Sequence, residues 1–129
     1  MTHLLRRYAT VVNPKSKSST KITIPATVKV KGKSVKVTSI ASNAFKDMKK
    51  LKTVTVGKNI KKIGKNAFYG CNKLEQITIT TTKLSSKVVG ENAFKGVYKK
   101  AVVKCPKTKK TAYKKILLKK GLKSSAKFK

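Results

Sequence analysis

The chain has 129 residues and sets 34 Lys plus Arg against 3 Asp plus Glu, for a formal charge of +31. A chain of this length supports one domain with a modest core and argues against two independent ones. Self-repulsion on this scale suits a disordered polycation, but Leu, Ile, Val and Phe number 33, about a quarter of the chain, which is above the disordered range of under roughly 20% and argues for a fold.

In chain order, Met1 to Thr10 holds Leu4, Leu5, Arg6 and Arg7, an apolar run too short and misplaced for a signal peptide. No later stretch approaches a transmembrane span. Tyr8 to Val12 is a candidate strand, and residues 13–21, rich in Ser, Lys and Thr, read as a linker. Ile22-Thr-Ile24-Pro25 reads as the end of a degenerate strand. Val28, Val30, Val35 and Val37 alternate about Lys31-Gly32-Lys33-Ser34, the pattern of a β-hairpin. The expectation is that this hairpin covers the first exposed edge of a sheet, its lysines discouraging edge-to-edge association.

Next comes a repeat. Asn-Ala-Phe occurs at residues 43–45, 66–68 and 92–94, at spacings of 23 and 26 residues. Three residues after each Phe stand Met48, Cys71 and Val97; nine after stand Val54, Ile77 and Val103; eleven after stand Val56, Ile79 and Cys105. Ile40, Ile63 and Val89 precede each Phe by five. Such a period suits one coil of a solenoid. Leu51-Lys-Thr-Val54-Thr-Val56 and Leu74-Glu-Gln-Ile77-Thr-Ile79 have the form of a leucine-rich repeat strand, aliphatic residues inward and Thr55, Thr78 and Lys104 outward. The third coil departs from the pattern: Lys100 falls where Leu51 and Leu74 stood, and three extra residues separate Ile79 from Val89. After Pro106, Thr108 to Lys120 reads as a helix, with Ala112, Tyr113, Ile116 and Leu117 on one face and Gly121 as its stop, a cap over the last coil.

Residues 63–79, IGKNAFYGCNKLEQITI, resemble the BspA-like, or treponemal-type, leucine-rich repeat through Ile63, Gly64, Ala67, Phe68, Cys71, Leu74, Ile77 and Ile79. The first coil is similar with Met48 for Cys, and the third through Val89, Gly90, Ala93 and Phe94, so the likeness spans roughly residues 22–106. The Lys-rich hairpin and the closing TAYKKILLKKGLKSSAKFK also resemble the carboxyl-terminal ends of cell-surface repeat proteins of low-GC Gram-positive bacteria. The resemblance implies surface display and binding to host or bacterial partners, an extracellular or wall-associated place for the parent protein, and no catalysis. It supplies no universal ligand residues.

The expected fold is therefore a β-rich leucine-rich-repeat solenoid of about three coils with a parallel sheet, an N-terminal β-hairpin cap and a C-terminal α-helical cap. Its parts are an N-terminal strand and linker (1–21), a degenerate repeat with hairpin cap (22–40), the solenoid (40–106) and a capping helix with basic tail (107–129).

Catalytic residue types are nearly absent. Asp47, Glu75 and Glu91 sit two after, seven after and three before their Phe, so stacking pairs none of them for acid/base work. His3 is the one histidine, in a terminus expected to fray, which removes most Ser-His and Cys-His arrangements and any multi-His metal site. No cofactor is expected. Cys71 and Cys105 fall in different core columns and read as small buried hydrophobes before a disulfide or metal pair. The outward strand residues, seven, eight and ten after each Phe, are the candidate binding face: Thr53, Thr55, Gln76, Thr78 and Lys104 lead it, with Lys52, Glu75, Ala101 and Val102 beside them. The bland reading is that Thr is simply a good solvent-facing strand residue. Partners are a surface protein or a glycan, with the chain a monomer. The alternative is a polyanion binder for nucleic acid or teichoic acid. Against specific base or phosphate reading, 32 of the basic residues are Lys, which lacks the fork of Arg and supplies a diffuse field.

Overall fold

A computed structural model describes residues 2–5, 8–14 and 16–129, the first stretch by its backbone alone. The reading of His3 and of the Arg6-Arg7 pair lies outside the described side chains.

Alternating Thr and aliphatic residues make strands because branched side chains suit a pleated surface buried on one side. The first sheet is wholly parallel and runs, in spatial order, β10 (Lys127–Phe128), β9 (Val102–Lys104), β8 (Gln76–Ile79), β6 (Thr53–Val56) and β3 (Lys21–Thr23). Its register aligns Ile22, Val54, Ile77, Val103 and Phe128 across the five strands. Val54, Ile77 and Val103 are fully buried, as the inward column requires.

A second sheet forms on another side of each coil. β2 (Tyr8–Val11) and β7 (Lys62–Ile63) pair in parallel with β5 (Lys33–Ile40), while β1 (Thr2–Leu5) and β4 (Thr27–Val30) add antiparallel partners to β2 and β5. Val11, Ile40 and Ile63 align within it, and a single bridge joins Ile63 to Val89.

The Asn-Ala-Phe turns stack between the two sheets. Asn43, Asn66 and Asn92 have φ of 61°, 58° and 59°. This is the left-handed region that Asn tolerates better than other side chains, which accounts for the Asn of the triplet. Turn hydrogen-bonds to turn: the amides of Asn43 and Phe45 donate to the carbonyls of Lys65 and Ala67 at 2.9 and 2.8 Å, and those of Asn66 and Phe68 to Glu91 and Ala93 at 3.1 and 2.8 Å. Gly64 and Gly90 permit that approach, since a Cβ on either would stand 2.3 Å from the backbone nitrogen of Ser42 or Lys65. Phe45, Phe68 and Phe94 stack in sequence with centroids 5.3 and 5.4 Å apart and planes 16° and 17° from parallel.

Lys107–Lys109 makes a 3-10 turn that leads into α1 (Lys110–Lys119), whose Tyr113, Ile116 and Leu117 are buried. The Tyr113 hydroxyl donates to the Thr81 carbonyl at 2.7 Å and accepts the Leu84 amide at 3.3 Å. The Thr81 hydroxyl donates in turn to the Ile60 carbonyl at 2.7 Å. The longer stretch between Ile79 and Val89 thus forms a loop pinned from both sides. Among the described residues, no buried side-chain polar atom lacks a hydrogen-bond partner.

Four expectations need correction. The β4–β5 hairpin does not cover the edge of the strand sheet; it belongs to the second sheet, because β5 runs on through Ile40 into the column shared with Ile63. The edge of the first sheet is β3. Within the basic tail, Lys127 and Phe128 join the parallel sheet beside β9. Ala101, expected outward, is fully buried: its amide bonds to the Tyr98 carbonyl as Leu51 bonds to Met48 and Leu74 to Cys71, so Ala101 takes the Leu place one residue late. Cys105 is only partly buried, and Ala112 is exposed rather than on the packed face of α1.

Candidate binding face of the parallel sheet

The outward side of the sheet presents two columns. One reads Lys21, Thr53, Gln76, Val102 and Lys127 across the five strands, and the other Thr23, Thr55, Thr78 and Lys104. Lys129 continues the second column, its amide donating to the Val103 carbonyl at 2.8 Å. Neighbouring strands lie about 4.8 Å apart, so each column is a ladder at that spacing. The face holds hydroxyl and amide groups in the middle and ammonium groups at both edges, Lys21 on β3 and Lys104, Lys127 and Lys129 at the β9–β10 side.

Two adjoining depressions interrupt it. One, of about 260 Å³, is lined by Gln76, Thr78, Val102, Lys104 and Lys129. The other, of about 300 Å³ and open to solvent, is lined by Thr78, Ile79, Thr80, Lys104, Cys105 and Pro106. They share Thr78 and Lys104. The structure therefore brings together Gln76, Thr78 and Lys104 of the residues singled out by sequence, and leaves Thr53 and Thr55 on β6 outside both depressions. Sequence reasoning missed Lys129 and Pro106. The polar-apolar-polar order of Lys127-Phe128-Lys129 was the available signal for the first.

No Asp or Glu lines either depression. Asp47, Glu75 and Glu91 are each exposed, and among the described residues no three His, Cys, Asp or Glu side chains gather where a metal ion would fit. Away from the sheet face, the ammonium groups of Lys46 and Lys61 sit over the rings of Tyr69 and Tyr8, 5.5 and 5.7 Å from the centroids. Both cysteines are free. Burial pushes the Cys71 thiol up to about 12, against the Met48 amide and with the charge of Asp47, while its Sγ donates to the Phe45 carbonyl at 3.0 Å. Burial also raises Cys105, opposed by Lys110.

Parallel strands stacked in register, left-handed Asn corners and a Phe column define a leucine-rich repeat solenoid. The sequence matches the BspA type leucine rich repeat region in six copies over residues 15–126, and the chain belongs to that family. Its fold is similar to a leucine rich cell surface protein from Faecalibacterium prausnitzii A2-165, with 26% identity and a TM-score of 0.61, covering 81% of this chain and 30% of that one. A leucine-rich repeat protein from Bacteroides ovatus ATCC 8483 is similar in fold at 21% identity and a TM-score of 0.59, covering 81% of this chain and 35% of the other. The chain thus spans about a third of the length of either. No curated protein matches. Among the described residues, no helix is long and apolar enough to cross a membrane.

Proposed function

We propose that the chain is a non-catalytic binding module of a surface-displayed protein, monomeric, engaging a protein or a glycan through the outward side of its parallel sheet. The observation that carries this is the pair of adjoining depressions about Thr78 and Lys104, on the face whose residues the repeat leaves free. The place at the extracellular surface or wall is supported by family membership and by the cell-surface description of the Faecalibacterium protein. In this reading the solenoid has about three coils, residues 40–106, the third of them irregular. Its far side is covered by α1, whose following residue Lys120 accepts the Phe94 amide at 3.0 Å. The β4–β5 hairpin is itself part of the second sheet.

An array of glycans and peptides probed at about 150 mM salt with the chain and with Thr78→Arg tests the reading. Retention of at least one ligand, lost in the variant, is the expected result. Retention of none, or equal retention by Thr78→Arg, removes the face from consideration.

The charge of +31 favours a second reading, a polyanion binder for nucleic acid or teichoic acid held by diffuse electrostatics. Its mark is a steep fall in binding from low to moderate salt; salt-insensitive binding, or none to any polyanion, sinks it. Either way screening should raise Tm as salt is added.

A further inference from the structure

Accepting the binding face proposed above, the chemistry of the two depressions narrows the ligand. β8 and β9 each have a strand on both sides, so their main chain is engaged in the ladder and an extended peptide gains no strand-to-strand hydrogen bonds there. Recognition falls to side chains. The first depression offers Gln76, whose amide both donates and accepts, and Thr78, whose hydroxyl does the same. That pair suits the hydroxyl groups of a sugar. Val102 supplies an apolar surface in the first depression and Pro106 another in the second, to which a sugar ring can turn its C–H face.

Lys104 and Lys129 set the remaining requirement. An ammonium group donates and cannot accept, so it is best matched by an acceptor carrying a full negative charge. The two stand on adjacent positions of one column, spaced by about 4.8 Å, within reach of a single anionic group between them. No acidic side chain lines either depression, so the side chains there present these two ammonium groups without a carboxylate among them. A ligand anion is the group that complements them. Each depression, at about 260 and 300 Å³, lies at or below the bottom of the roughly 300–1,000 Å³ range of small-molecule pockets, so each holds about one ring, and the shared Thr78 and Lys104 make them two steps of one groove.

We infer that the groove over β8 and β9 binds an acidic oligosaccharide, two linked sugar units with one anionic group, the anion held between Lys104 and Lys129. Lys104, shared by both depressions, is the residue on which affinity turns. This differs from diffuse polyanion attraction, in which one exposed lysine among 32 counts little.

The test is amide-resolved NMR titration at about 150 mM salt with three probes: a hyaluronan tetrasaccharide (one carboxylate per two sugars), neutral chitotetraose, and tripolyphosphate. Hyaluronan tetrasaccharide should move the amides of residues 76–80, 102–105 and 127–129 and leave those of the β4–β5 hairpin in place. Lys104→Gln should weaken it about tenfold, as loss of a charge-assisted hydrogen bond does. Lys104→Arg should hold within about threefold, and Lys29→Gln on β4 should change nothing. Equal binding of chitotetraose overturns the acidic requirement. Equal displacement by tripolyphosphate, or shifts spread over the hairpin with Lys29→Gln as harmful as Lys104→Gln, overturns the built groove. Absence of shifts with hyaluronan tetrasaccharide overturns the inference alone if the array has found a ligand lost in Thr78→Arg; if the array has found none, the binding face itself falls too.

Discussion

The second and third coils are built on the same frame and use it differently. Residues 63–79 fill the inward places with Ile63, Ala67, Phe68, Cys71, Leu74, Ile77 and Ile79, all of them buried. Residues 89–105 keep the turn, the Phe and the strand register, yet put Ala101 in the Leu place one residue late and leave Cys105 half-buried. Both depressions lie where the two coils meet, with Gln76, Thr78 and Ile79 from the regular coil beside Val102, Lys104 and Cys105 from the irregular one. Backbone hydrogen bonds hold the register while side chains depart from the pattern, so departures are where a solenoid of this kind gains individuality.

The comparison can be pressed hardest at the phenylalanines. Phe68→Ala removes a ring stacked on both sides, and Phe94→Ala one stacked on a single Phe. Each should cost about 3–5 kcal/mol, with Phe68 the worse by about 1 kcal/mol for its extra aromatic contact. Denaturant unfolding gives both numbers; a costlier Phe94 would mean that the third coil is the better packed.

Next in size is the Leu place. Leu74→Ala should cost about 2–5 kcal/mol. Ala101→Leu, which restores the residue type of the repeat, should also destabilise, by about 1–3 kcal/mol, because the shifted alanine is already fully enclosed. A stabilising Ala101→Leu would show that the third coil is an underfilled copy of the second.

The two thiols come next. At pH 8 a disulfide reagent should modify Cys105 readily and Cys71 only as fast as the chain unfolds, since burial holds the Cys71 thiol protonated to about 12. The linkage has a definite sign. From about pH 9, its ordinary value, the unfolded chain releases the Cys71 proton while the folded chain keeps it, so stability falls as pH rises from 9 toward 12. The margin of the wild type over Cys71→Ala should therefore shrink across that interval. Equal labelling rates for the two cysteines would erase the packing contrast.

The smallest effect is at the corners. Asn66→Ala and Asn92→Ala should each cost about 1 kcal/mol, and the Gly variants little, since φ near 60° strains Ala and not Gly. Unequal costs at the two would mean that the turns, too, have diverged.

Much of this fold was legible from side-chain spacing. The strand columns and the Phe turns follow from which residues recur beside Asn-Ala-Phe, the hairpin from valine alternation about Lys31-Gly32, and the helix from the apolar spacing after Pro106. The second sheet was harder, because its members in the second and third coils are as short as Lys62–Ile63 and a lone bridge at Val89, too brief for alternation to register. The place of Phe128 was missed for the same reason. Of the candidate face, Gln76, Thr78 and Lys104 were readable as outward residues. That they meet Lys129 was not, because it depends on a chain end returning to the sheet after a helix.

The loop between Ile79 and Val89 also bears on cooperativity. Through Thr81 it is bonded to Ile60 and through Tyr113 to α1, joining three successive levels of the solenoid by side chains rather than by the ladder alone. In a stack whose levels meet only their nearest neighbours, unfolding can start at a terminus and stop between coils. A relay that spans levels penalises such partial states. Removal of the one hydroxyl in Tyr113→Phe should turn a single unfolding transition into a gradual one, with α1 released first.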